Sequence, residues 1–300
     1  MNKQSFWRGV IAAITTPFDV DGNVDHAFLA EHAKTLVTAG CTGIVPLGSL
    51  GESATLDGVE KRAILKTVVA ALGSTPVIAS IAGLATHEAV QLARDAQALG
   101  CRGLMVLPPY VYTSDWREMK AHMAAVIGAT QLPCMLYNNP VAYRTDFTPE
   151  QIAELAAEFP NLEAVKESST DVRRVTAIRA LIDDHLDILV GVDDAIVEGI
   201  AAGAVGWIAG QVNALPRESV RLFDLARAGR NDEAFALYRW FLPLLRLDTV
   251  PKFVQLIKLT QERFGLGSER VRAPRLVLAG DERNQALAVI NHALKTRPEI

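Results

Sequence analysis

Cysteine is scarce in this chain, with 3 in 300 residues. An odd, small number makes no disulfide framework. Cys41 and Cys101 stand in matching helix-to-strand turns and Cys134 inside an apolar strand, so all three are expected to act as small buried hydrophobes. Charge of one sign is not in excess either. A net charge of −4 and a pI near 5.9, with charges interspersed and no acidic or basic tail, leave no footprint for nucleic acid. Long hydrophobic runs are missing, because no apolar segment approaches the roughly 20 residues that cross a bilayer. The opening MNKQSFWRGV shows neither a signal-peptide apolar stretch nor a small-residue cleavage site. His26, His32, His87, His122, His185 and His292 are scattered, mostly in helical segments, without ligand-like spacing, so no metal is expected. The expectation is a cytoplasmic protein with no membrane and no nucleic-acid partner.

What is present is a regular series of short apolar runs bounded by turn residues. They lie at 9–17, 43–49, 76–82, 103–109, 132–138, 162–168, 187–193 and 204–210. Helical patterns such as HAFLAEHAKTLVTAG and THEAVQLARDAQALG separate most of them. The runs are almost continuously apolar, as strands covered on both faces are. A weak repeat, AGCTGI, LGCRGL and AGAVGW, puts one glycine after a helix and another before a strand. Glycine suits the left-handed helix C-cap. The pattern predicts an α/β fold, a (β/α)8 TIM barrel over residues 1–215, with the final barrel helix and a C-terminal helical extension over 216–300. A doubly wound open sheet would want a glycine-rich dinucleotide turn after the first strand, and TTPFDVDGNVD is not one.

Barrel chemistry collects at the C-terminal strand ends. These ends offer Thr15 and Thr16, Ser49, the segment from Pro108 to Tyr112, Tyr137 and Asn138, Lys166, Asp193, and Gln211. A lysine closing the apolar run LEAVKESS is the unusual member, since lysine is seldom buried without a purpose. Its amine, with an unperturbed pKa of about 10.4, is a poor nucleophile at neutral pH until desolvation lowers that value. The neutral amine attacks a ketone to form an imine, an electron sink for bond-breaking at the next carbon. Tyr137, ending the preceding strand, is placed to shuttle protons. In PLGSLGES, Gly48 and Gly51 bracket Ser49 and Leu50, so successive N–H groups can face a carboxylate. Asp57 with Glu60 reads as a capping box opening the next helix.

Together GVIAAITTPFDVDGNVD, GSLGESATL, LPCMLYNNP and LEAVKESS resemble, in order and spacing, the dihydrodipicolinate synthase / N-acetylneuraminate lyase family of lysine-dependent aldolases and lyases. The resemblance covers nearly the whole chain. It implies that Lys166 forms the Schiff base, that Tyr137 transfers protons, and that Ser49 relays them and holds the substrate carboxylate with the Leu50 backbone. It also implies a homotetramer acting on a small 2-oxo or imino acid, with no cofactor beyond the covalent imine on Lys166. Three departures stand out. Leu50 replaces a second hydroxyl, Val111 replaces a tyrosine between Tyr110 and Tyr112, and Ala142 occupies the place of an arginine, with Arg144 two residues on. These losses argue against a second carboxylate in the substrate.

YNNPVAY, LPLLRLDTVPKFVQLIKL and VRAPRLVL look more like 1-pyrroline-4-hydroxy-2-carboxylate deaminase of hydroxyproline breakdown. A 2-keto-3-deoxy-aldonate dehydratase or aldolase is the nearest alternative, followed by 4-hydroxy-tetrahydrodipicolinate synthase. A binding protein built on a barrel without chemistry is the alternative from another class. Asn139 is a candidate for a substrate hydroxyl, Tyr110 and Gln211 are candidates for the pocket wall, and Asn138 is expected to support the Tyr137 turn. Asp193 and Asp194 could be an acid pair at the mouth of the seventh strand but read more readily as a helix cap. Trp207 reads as packing, and Thr15 and Thr16 as strand terminators or supports for Lys166.

Overall fold

The computed structural model describes residues 5–110 and 115–300. Eight parallel strands, β1 (Gly9–Ala13), β2 (Gly43–Val45), β3 (Ile78–Ile81), β4 (Gly103–Val106), β5 (Cys134–Asn138), β6 (Leu162–Glu167), β7 (Asp187–Val190) and β8 (Gly206–Ala209), pair in the order β2-β1-β8-β7-β6-β5-β4-β3. A parallel bridge between Ile44 and Val77 joins the two remaining edges, so the sheet closes into a (β/α)8 TIM barrel.

The helices alternate with the strands as α1 (His26–Thr38), α2 (Gly58–Leu72), α3 (Thr86–Ala98), α4 (Trp116–Ile127), a single turn α5 (Pro140–Tyr143), α6 (Pro149–Glu158), α7 (Arg173–Ile182), α8 (Ile196–Ala201) and α9 (Pro216–Arg227). Three more follow: α10 (Asn231–Leu245), α11 (Phe253–Arg263) and α12 (Gly280–Lys295). The Asp57 carboxylate accepts from the Val59 and Glu60 N–H groups while Glu60 reaches back to the Asp57 N–H, the capping box its sequence announces.

Most of the strands end earlier than the apolar runs that code for them. Ladder pairing stops and the residues beyond it turn outward as loops, which is where side chains become free for chemistry. Alternation sorts the apolar residues into two layers. Val10, Ile44, Ala79, Leu104, Leu136, Val165, Ile188 and Trp207 face the helices. Ile11, Val45, Ile78, Met105, Met135, Ala164, Leu189 and Ile208 fill the barrel. Two residues further along β5 and β6, the inward parity falls on Tyr137 and Lys166, which pair directly across the ladder. It also falls on Gly191 and Gly210 just beyond β7 and β8, where no side chain crowds the mouth.

The three cysteines are buried and free, their thiols each pushed up to about 12 by burial. No helix among the described residues is long and apolar enough to cross a membrane.

Candidate active site

A cavity of about 450 Å³ opens at the C-terminal ends of the strands. Lys166 and Tyr137 form one side of it, and the Gly48–Ser49–Leu50 loop lies on the other. Lys166 is only 7% exposed, and its Nζ sits over the Tyr137 ring, 4.0 Å from the centroid. Burial lowers the pKa of its ammonium, opposed by the nearby Tyr143, Asp248 and Asp193. Burial raises that of the Tyr137 phenol, so at neutral pH it holds its proton. The Tyr137 oxygen accepts a hydrogen bond from Asn139 Nδ2 at 3.0 Å, and Asn139 Oδ1 accepts from the Ala142 N–H at 3.0 Å. Asn139 therefore caps α5 and holds the phenol at once, while also lining the cavity.

The Ser49 loop is fixed from below. Thr16 Oγ1 donates to the Gly51 carbonyl at 2.7 Å, and Thr15 Oγ1 donates to Gln261 Oε1 at 2.9 Å. These threonines brace the loop and α11, and neither hydrogen-bonds Lys166 among the described residues. The backbone N–H groups of Ser49 and Leu50 donate to no backbone carbonyl among the described residues, which leaves them for an anion. A Cβ on Gly51 would stand 3.1 Å from the Ile14 carbonyl, so the loop's close approach to β1 needs glycine there.

Tyr143, not singled out from sequence, completes the constellation. Its hydroxyl and that of Ser49 are hydrogen-bonded, and its ring stands edge-on to Tyr137 with centroids 5.7 Å apart. Burial raises its phenol strongly. Ser168 also faces the cavity, its hydroxyl buried without a partner among the described residues.

Asp193 does not cap a helix. It is fully buried and accepts from Trp207 Nε1 at 2.9 Å and from the N–H groups of Gly210 and Gln211 at 3.1 and 2.7 Å. It thus fastens the end of β7 to the end of β8. Burial, set against these donors, pushes its carboxyl up to about 6. Asp194 pairs instead with Arg246.

Asp248, missed in the sequence, arrives on the turn between α10 and α11 and lines the cavity. Burial, and then the neighbouring Asp193, hold its carboxyl well above the usual carboxylate range.

Two expected pocket residues lie elsewhere. Gln211 is fully buried with its Nε2 donating to the Leu244 carbonyl at 2.8 Å, and it is absent from the cavity wall. The turn after β8 breaks strand alternation and sends it toward α10. Tyr110 packs on Tyr143, centroids 5.5 Å apart, and is not among the described residues that line the cavity. Arg144 is exposed, in the left-handed conformation that ends α5, and does not line the cavity either. Val111 and Tyr112 lie outside the described residues. Asn138 supports the turn as expected, bonding Asp146, Glu167 and the Phe147 N–H. Among the described residues no cluster of histidine, cysteine and acidic groups has the arrangement of a metal site.

Residues 6–293 match the dihydrodipicolinate synthetase family. Among curated proteins, 4-hydroxy-tetrahydrodipicolinate synthase of Geotalea daltonii is 32% identical over 289 residues, covering 95% of this chain and 98% of its own. The Methanococcus maripaludis (strain C6) protein of the same name is 29% identical, covering 95% and 98%. Dihydrodipicolinate synthase from Bacillus anthracis superposes with a TM-score of 0.91 at 27% identity, over 98% and 99% of the two chains. A prophage protein of the same family from Escherichia coli K12, solved with pyruvate, gives 0.90 at 26% identity over 97% and 99%.

Proposed function

The chain belongs to the dihydrodipicolinate synthetase family, and we propose that it is a lysine-dependent enzyme that binds a small 2-oxo or cyclic 2-imino acid as an imine on Lys166. The observation that carries this reading is the buried Lys166 amine, 4.0 Å from the centre of the Tyr137 ring at the floor of the cavity. Desolvation supplies the neutral amine that addition to carbon needs. The Ser49 and Leu50 N–H groups receive the carboxylate next to the reacting carbon. Tyr137 and Tyr143, both protonated at neutral pH, give and take protons as the carbinolamine loses water, and Ser49 links Tyr143 to the carboxylate end.

The finer reading is deamination of 1-pyrroline-4-hydroxy-2-carboxylate. Lys166 adds to C2 and the ring nitrogen leaves as a primary amine on C5, so the ring opens by imine exchange. A proton departs from C3, the 4-hydroxyl leaves as water, and tautomerisation puts an imine at C5. Hydrolysis at C5 and at C2 consumes two waters, releasing ammonia and 2-oxoglutarate semialdehyde and restoring the lysine. What supports this reading is that the described cavity wall holds no arginine, and that Ala142, which stands where the resemblance would put one, lines it beside Val141.

The second reading is 4-hydroxy-tetrahydrodipicolinate synthesis from pyruvate and aspartate semialdehyde. Its support is the name carried by the curated relatives, at 29% and 32% identity over almost the whole chain. It would have to hold the semialdehyde's carboxylate without the missing guanidinium. Dehydration of a 2-keto-3-deoxy-aldonate uses the same early steps and is the third candidate.

Borohydride reduction in the presence of pyruvate, followed by peptide mass mapping, tests the shared chemistry. The expected result is one adduct on Lys166, absent in Lys166→Ala; unmodified wild-type protein would end the proposal. Parallel assays then separate the readings: ammonia release from the pyrroline, semialdehyde or pyruvate from the aldonate, and heterocycle formation from pyruvate plus aspartate semialdehyde.

A further inference from the structure

Lys166 and Asp248 are the only charged side chains on the described wall of the cavity. Lys166 stands on β6, with Tyr137 beside it on β5. The sheet runs onward from β6 to β7 and β8, and over that side sits Asp248, held close above the end of β8, since a Cβ on Gly210 would fall 2.5 Å from its Oδ1. A substrate tethered at Lys166 therefore meets a phenol on one flank and a carboxyl group on the other. Once its first carboxylate occupies the Ser49 loop, the rest of the molecule meets no free cation among the described residues of the wall.

We infer that Asp248 reads the distal end of the substrate, accepting a hydroxyl or amine there and rejecting a second carboxylate. The inference rests on Lys166 as the imine-forming residue and narrows the substrate to monocarboxylates with a polar, uncharged or cationic tail. A carboxylate brought against Asp248 either faces a like charge or forces that group to stay protonated, and both are costly in a closed site. A hydroxyl or amine has donors that the carboxyl oxygens accept. Asp248 belongs to the segment between α10 and α11, so the C-terminal extension, not the barrel, sets this preference.

The test compares borohydride-trapped imine from pyruvate, which has no distal group, with that from 2-oxoglutarate, which has a distal carboxylate. It is run on the wild type, Asp248→Asn and Asp248→Ala. The readout is the 2-oxoglutarate to pyruvate ratio, which a purely structural role would leave alone because it moves both ligands together. The ratio should rise about tenfold in both variants. An unchanged ratio in both overturns the assignment of Asp248. Wild-type protein that traps neither acid overturns the imine reading itself, a separate failure.

Discussion

Ser49 and Tyr143, 94 residues apart in sequence, share a hydrogen bond inside the cavity, and Tyr143 also stands edge-on to Tyr137. The contact joins the loop after β2 to the turn after β5, two elements on different parts of the barrel rim. In the proposed mechanism this makes a relay within one chain, from the Ser49 loop that would receive the carboxylate to the Tyr143 ring packed on the phenol beside Lys166.

Tyr143→Phe removes one hydroxyl from that relay and keeps the ring that packs between Tyr110 and Tyr137. Turnover on the accepted substrate should fall by roughly 100-fold or more, the usual worth of a positioned proton donor. Stability should change by only about 1 kcal/mol, as for a typical hydrogen bond. A variant that turns over within twofold of wild type would remove Tyr143 from the mechanism.

Lys166 and Tyr137 were legible because period-two alternation and the ends of apolar runs are local signals, and both residues close strands. Tyr143 was not, since it lies on a one-turn helix beyond the strand end and its direction is set by the Asn139 cap. Asp248 was invisible for a different reason. Only the return of the extension over the rim brings it to Gly210, a contact no local pattern encodes. An acidic pair before a helix usually caps it, which is the expectation at Asp193. Here the buried N–H groups at the end of β8 compete for its carboxylate and win.

Burial of the Lys166 amine carries a stability cost that the sign of its shift exposes. A lysine whose folded value lies below its unfolded one binds fewer protons in the folded state, so stability rises with pH across that window. At pH 7 the charged form is penalised, and Lys166→Met should abolish imine trapping while gaining about 1 kcal/mol in a urea titration. The gain should shrink as pH is raised toward 10, where the unfolded amine also begins to lose its proton. A loss of stability at pH 7, or a gain that grows with pH, would contradict the desolvated amine.

Glu52 and Lys258 form a second pair to test. Both are essentially unexposed, with Lys258 Nζ donating to Glu52 Oε1 at 2.6 Å and to the Arg270 carbonyl at 2.7 Å. Glu52 follows the Ser49 loop directly and adopts φ of 56°, and its other oxygen accepts from the Arg272 N–H at 3.0 Å. Burial still lowers the Lys258 ammonium to about 8 despite this partner. The pair therefore clamps the extension to the loop more than it stabilises the fold. Glu52→Gln should cost about 3 kcal/mol by leaving a buried ammonium without its carboxylate. Adding Lys258→Met should return part of that loss, and strict additivity in the double-mutant cycle would show that the two are not coupled.

Gly191 tests the floor of the cavity. A Cβ there would stand 2.6 Å from Lys166 Cε and 2.7 Å from Lys166 Cγ, and would also strike Ser168 Oγ. Absence of a side chain beyond β7 is therefore what lets the Lys166 stem lie flat under the cavity with its amine over Tyr137. Gly191→Ala should displace that stem, slow borohydride trapping by roughly 100-fold, since a misplacement of about 1 Å can cost that much, and lower stability by about 1–3 kcal/mol through overpacking. Lys166→Ala removes the struck atoms, so Gly191→Ala should cost less in that background than in wild type, with the Ser168 contact accounting for what remains. Equal costs in the two backgrounds, measured by urea unfolding, would mean that Gly191 does not make room for the lysine.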